Sequence, residues 1–90
     1  MPDVNLDQYP KRAGELEVFP ADEGYVIYEE ENDRIHYLNP VAALIYELCN
    51  GENSTESIME QVQQVFGLMD APAAEVTKAL EQMKDEGLLQ

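Results

Sequence analysis

Tryptophan is absent from this 90-residue chain, and only one cysteine, one histidine and five lysines and arginines are present. Each scarcity excludes something. A lone Cys49 cannot build an internal disulfide framework and fits a reducing compartment. A lone His36 cannot supply the several nitrogen or sulfur ligands of a zinc site. No apolar run approaches the roughly 20 residues that span a bilayer, and the N-terminal stretch carries Asp3 and Asp7 where a signal peptide needs apolar residues. The expectation is a cytoplasmic protein. The glycines fall at turns and helix ends, so no phosphate-cradling loop exists.

What is abundant is negative charge. Nineteen acidic residues give a formal net charge of −14. Residues 1–13 balance to neutral, whereas residues 14–39 and residues 40–90 each sum to −7. Such a surface repels phosphate backbones, which nucleic-acid binders must neutralise with Lys and Arg. A basic peptide or basic protein surface would be steered toward it, and solubility or adaptation to a salty cytoplasm accounts for the acidity equally well. With 44 % hydrophobic residues the chain still has the material for one small core.

Residues 1–13 show neither helical nor strand period, contain Pro2 and Pro10, and read as a flexible N-terminal arm before a domain over 14–90. Three strand-like runs follow. Leu16 and Val18 alternate with Glu15 and Glu17; Tyr25 to Tyr28 is β-branched and aromatic; Arg34 to Leu38 is similar. Pro20–Gly24 and Glu30–Asp33 supply the turns, which makes an antiparallel meander.

Three helices are predicted next. Asn39 caps the first and Pro40 fits its first turn; Val41, Leu44, Ile45 and Leu48 form its buried stripe and Gly51 its stop. The second opens near Asn53–Ser57, with Asn53 and Glu56 spaced as a capping box. Its stripe is Ile58, Val62, Val65 and Phe66, and Gly67 closes it. The third opens at Asp70 and Pro72, buries Val76, Leu80 and Met83, and stops at Gly87, after which Leu88-Leu89 folds back onto the core. The class is α+β: a three-stranded antiparallel sheet followed by a three-helix cluster, winged-helix-like in order.

Catalytic constellations are missing. Cys49 sits one residue past the apolar stripe and reads as a small core residue. The acidic tip Glu29–Asp33 lacks the spaced ligands of a calcium loop. An enzyme is not expected, and neither a cofactor nor a metal is implied. A three-helix cluster with a sheet also suits a winged-helix regulator acting through protein contacts or weak DNA contacts. However, the second helix offers no basic residue and the third only Lys78 and Lys84 among four acids. The feature left over is the edge of the meander, whose outer strands present unpaired amides and carbonyls to which a peptide can add as a further strand.

Tyr37-Leu38-Asn39-Pro40, then Leu48-Cys49-Asn50-Gly51, a helix after Ser54-Thr55, and Met83 through Gly87-Leu88-Leu89 resemble the PqqD-like family, whose domain is the RiPP recognition element. Asn50 stands where that family often has Asp. The resemblance spans roughly residues 14–89. It implies a β3α3 domain that binds the leader of a ribosomally made precursor peptide without itself being catalytic. It also implies delivery of the leader to a maturation enzyme, either a radical SAM enzyme or a leader protease, so that tethering raises the local concentration of the precursor. By that resemblance the peptide-binding edge is Arg34, Ile35, His36, Tyr37 and Leu38, and the groove wall is Val76, Thr77, Leu80, Met83 and Lys84. Leu38, immediately before the first helix, is expected to point inward.

Overall fold

The computed structural model describes residues 9–14 and 16–90. Glu15 and residues 1–8, most of the proposed arm, lie outside the described residues. The sheet consists of β1 (Glu17–Ala21), β2 (Gly24–Glu29) and β3 (Arg34–Leu38), antiparallel and in the order β1-β2-β3. The register pairs Val18 with Ile27 and Ile27 with His36, so these three share one face; Phe19, Val26 and Tyr37 share the other.

The two turns are built differently. Pro20 belongs to β1 rather than to the turn, which leaves Asp22 and Glu23 as the connection. Proline is tolerated there because β1 is an edge strand. Gly24 then takes φ +116°, and a Cβ at this position would sit 1.9 Å from the Leu38 carbonyl oxygen. Only glycine fits. Across Glu30–Asp33, Asp33 adopts φ 51° and donates its amide to the Glu30 carbonyl at 3.2 Å. Its carboxylate accepts from the Tyr28 hydroxyl at 3.0 Å, one of the local bonds that let Asp occupy this region.

The helices are α1 (Pro40–Leu48), α2 (Thr55–Phe66) and α3 (Ala73–Asp85). Asn39 caps α1 as expected, its Oδ1 accepting from the Ala42 amide at 2.8 Å. The burial of α1 is broader than one stripe: Ala43, Ile45 and Tyr46 are buried, while Val41, Leu44 and Leu48 are half-buried. The reason is position, because α1 packs against β2, β3, α2 and α3 together. It also ends earlier than Gly51. Cys49 caps it, since the chain turns there to bond with residues 10–12.

In α2 the cap is Ser54, whose Oγ accepts from Ser57 N at 3.1 Å. Asn53 instead donates to the Leu48 carbonyl at 3.1 Å, which ties the end of α1 to the start of α2. Ile58 and Val62 are buried as expected, joined by Thr55 and Met59, but Val65 is 65 % exposed and Phe66 39 %. The last turn of α2 is left uncovered, as are Leu68 and Met69 after it. In α3 Asp70 makes no cap: the N-cap position is Pro72, without a side-chain bond. Val76, Leu80 and Met83 are all buried. Gly87 at φ +80° closes α3, with Leu88 N bonded to Met83 O at 2.8 Å and Gly87 N to Lys84 O at 3.1 Å. That pair of bonds is a Schellman motif, and it turns Leu88 and Leu89 back into the core.

Residues 10–13, assigned by composition to the arm, are held by main-chain bonds. Arg12 N donates to Cys49 O and Ala13 N to Leu88 O, both at 2.9 Å, while Gln90 N donates to Lys11 O at 2.8 Å. The Arg12 guanidinium donates to the Glu47 carbonyl at 2.7 Å and lies 5.7 Å from the Tyr46 ring centroid. A cation thus meets the negative end of the α1 dipole.

Candidate functional site

β3 is bonded to β2 on one side only, so its other edge is open. Its side chains alternate: His36 and Leu38 are 7 % and 6 % exposed, whereas Ile35 and Tyr37 are 71 % and 59 % exposed. Leu38 points inward, as its place before α1 implies. Beyond the open edge stands α3, yet no Cα of α3 comes within 8 Å of any Cα of β3. The helix is held off by α1 and α2, both of which it contacts. What remains between strand and helix is a groove of about 320 Å³.

The groove's floor and near side are Ile35, His36, Tyr37 and Leu38, with Asn39 and Ala42 from the start of α1 at one end. Its far wall is Ala79, Gln82, Met83 and Glu86. These four follow the i, i+3, i+4, i+7 spacing of one helical face. Of the wall residues proposed from sequence, Met83 alone lines the groove. Val76 is wholly buried and Leu80 is 2 % exposed, both spent on the core. Leu80 and Lys84 face a second cavity of about 430 Å³ on the other flank of α3, shared with Tyr9, Pro10, Lys11 and Leu89. Thr77 lines neither cavity. Arg34 lies on the strand but outside the groove lining. The spacing of Ala79, Gln82 and Glu86 was visible in the sequence, but two of them are polar and exposed or nearly so, which gives no apolar signal.

Electrostatically the groove is anionic and polar. His36 Nε2 lies 3.3 Å from Glu29 Oε1, and its Nδ1 lies 3.8 Å from Glu86 Oε1. The side-chain amide of Asn32, followed by His36, donates to Glu29 and lowers its carboxyl pKa, so Glu29 is ionised at neutral pH. No Lys or Arg lines the groove. Cys49 is fully buried, and burial pushes its thiol up to about 12, which leaves no thiolate for chemistry near neutral pH. Among the described residues, no helix is long and apolar enough to cross a membrane.

A three-stranded antiparallel sheet followed by three helices, with the open β3 edge beside a stood-off helix, defines the class as an α+β domain. The family model described as Coenzyme PQQ synthesis protein D (PqqD) matches residues 24–89, and the chain belongs to that family. It is a family of non-catalytic, peptide-binding partners in the biosynthesis of pyrroloquinoline quinone and of other ribosomally made peptide products. Its members bind the precursor peptide and work with a modification enzyme. No curated protein and no solved structure matches the chain significantly.

Proposed function

We propose that this protein captures the leader of a ribosomally made precursor peptide as a fourth strand on β3 and presents it, in the cytoplasm, to a maturation enzyme. That enzyme is a radical SAM enzyme or a leader protease. The observation behind this reading is the gap: an open strand edge with a helix beside it but no backbone contact between them. Strands pair at about 4.8 Å, and no strand of this protein occupies that place beside β3. Main-chain bonds to alternate residues of β3 supply affinity, and the groove wall supplies selectivity. The role is non-catalytic: tethering the leader raises the effective concentration of the core segment at the partner's active site.

The test is titration calorimetry with the leader encoded beside this gene, followed by amide chemical-shift mapping. Saturable binding with the largest shifts in residues 34–38 is the expected result. Absence of binding by any genomically adjacent leader overturns the proposal. A winged-helix regulatory role predicts instead salt-sensitive retention of DNA, which the net charge of −14 opposes.

A further inference from the structure

The cavities on the two flanks of α3 carry opposite charge. The groove beside β3 contains Glu86 and no Lys or Arg. The cavity on the other flank, of about 430 Å³, is lined by Lys11 and Lys84 and, among the described residues, by no Asp or Glu. In a chain with nineteen acids and only five lysines and arginines, that is a local reversal of sign. Among the described residues neither ammonium group pairs with a carboxylate; the ion pairs there are those of His36.

The positions of these lysines are set by the fold. Gly51 N donates to Pro10 O at 3.0 Å and Gln90 N to Lys11 O at 2.8 Å, which fixes residues 10 and 11 as one wall. The Lys11 stem runs alongside Gly51: a Cβ built there would sit 3.4 Å from its Cδ and 3.6 Å from its Cγ. Lys84 comes from the last turn of α3. Both lysines are exposed, whereas Leu80 and Leu89 at the same cavity are buried. An apolar floor thus lies beneath a cationic mouth, in a volume within the roughly 300–1,000 Å³ of small-molecule sites.

We infer that this cavity binds a small organic acid with an apolar body, such as a medium-chain or aryl-substituted carboxylate. The body covers Leu80 and Leu89 and takes their surface out of water. The carboxylate accepts charge-assisted hydrogen bonds from Lys11 and Lys84 and offsets the repulsion between them. An inorganic anion would leave the floor wet, and a neutral apolar molecule would leave the two cations unmatched. The net charge of −14 opposes the approach of an anion from afar. Beyond about 8 Å that field is screened at physiological ionic strength, so the two lysines decide the final contact. The site goes beyond leader capture and is separate from it, since no residue lines both cavities.

The experiment is titration of the isotopically labelled full chain with octanoate and with 4-phenylbutyrate, each compared with its neutral amide, followed through backbone amide shifts. Saturable shifts centred on Gly51, Leu80, Lys84 and Leu89 are expected, with the neutral amide binding about fivefold more weakly than the acid. In the double variant Lys11→Gln, Lys84→Gln, acid and amide should bind within about twofold of each other, because the partners of the carboxylate are gone. The charge-conserving pair Lys11→Arg, Lys84→Arg should keep the preference for the acid. Equal binding of acid and amide by the parent, or a preference for the acid that survives in the glutamine variant, overturns the inference. So do shifts confined to other faces of the molecule and the absence of saturable binding by either acid.

Discussion

The sheet has two open edges, and only one of them has a helix and a groove beside it. The β1 edge is exposed over Glu17 to Pro20, and no helix Cα comes within 8 Å of it. Pro20 also removes one main-chain donor there, and Glu17 places a charge beside it. A strand arriving at β1 would find a broken row of donors and no wall. The β3 edge has no proline, turns His36 and Leu38 inward, and faces Ala79, Gln82, Met83 and Glu86 across a gap. The two edges differ in what stands beside them and not in their being unpaired. On the proposed reading, what would make the β3 edge a binding edge is a helix that stands near without touching.

Proline substitution is the most severe way to break this comparison. Only alternate residues of β3 direct their amides to the open edge. Of Ile35→Pro and His36→Pro, one should abolish leader binding while leaving the helical circular dichroism intact, and the other should damage the sheet. Val18→Pro on β1 should leave leader affinity of the folded protein within about twofold, since the proposed binding edge is β3. If both β3 variants fold and bind like the parent, the leader does not use this edge.

Next in size is Gly24→Ala. It sets a methyl group against the Leu38 carbonyl at the end of β3 and forces an unfavourable φ. A loss of about 1–3 kcal/mol is expected, read as a melting temperature lower by roughly 4–8 °C for each kcal/mol. A smaller effect sharpens the identity of the wall. Ala79→Trp should fill the groove and weaken leader binding by about tenfold, roughly 1.4 kcal/mol. Thr77→Trp and Lys84→Glu, outside the groove lining, should leave affinity within about twofold; a large loss from either would place the leader on another face of α3. The smallest effect is a pH dependence of the core beneath the sheet. The Cys49 thiol is pushed up to about 12 by burial, above its unfolded value of about 8.5. Its contribution is therefore complete below pH ~8.5 and is lost as pH rises toward 12. About 1 kcal/mol should be gone by pH 9.5, measured by urea unfolding and absent in Cys49→Ala.

The strands and helices could be read from local chemistry because each is signalled within its own few residues. Asn39 with Pro40, the β-branched run at Tyr25–Tyr28, and Gly67 and Gly87 with their positive φ are examples. The stripe of α3 was equally plain, since Val76, Leu80 and Met83 are spaced for burial. The groove wall was not, because it depends on which flank of that stripe turns toward β3. This is fixed by how α3 packs on α1 and α2, a relation between distant segments. Val65 and Phe66 continue the period of α2 and yet stay exposed, since periodicity states which residues share a face and not where the covering element ends. The pairing of residues 10–13 likewise has no local signal: their partners lie some 35 to 80 positions away.

That pairing sets Lys11 and Gln90 side by side, Lys11 O bonded to Gln90 N. A segment bounded by two such neighbours, residues 11–90, can be spliced into a surface loop of a host polypeptide without prising the host's loop apart. The groove between β3 and α3, on the opposite flank of α3 from the cavity that Lys11 and Gln90 line, would stay open in such a chimera. The architecture is thus that of a portable cassette: with leader capture on β3 as proposed, a graft beside another catalyst would bring its own substrate address with it.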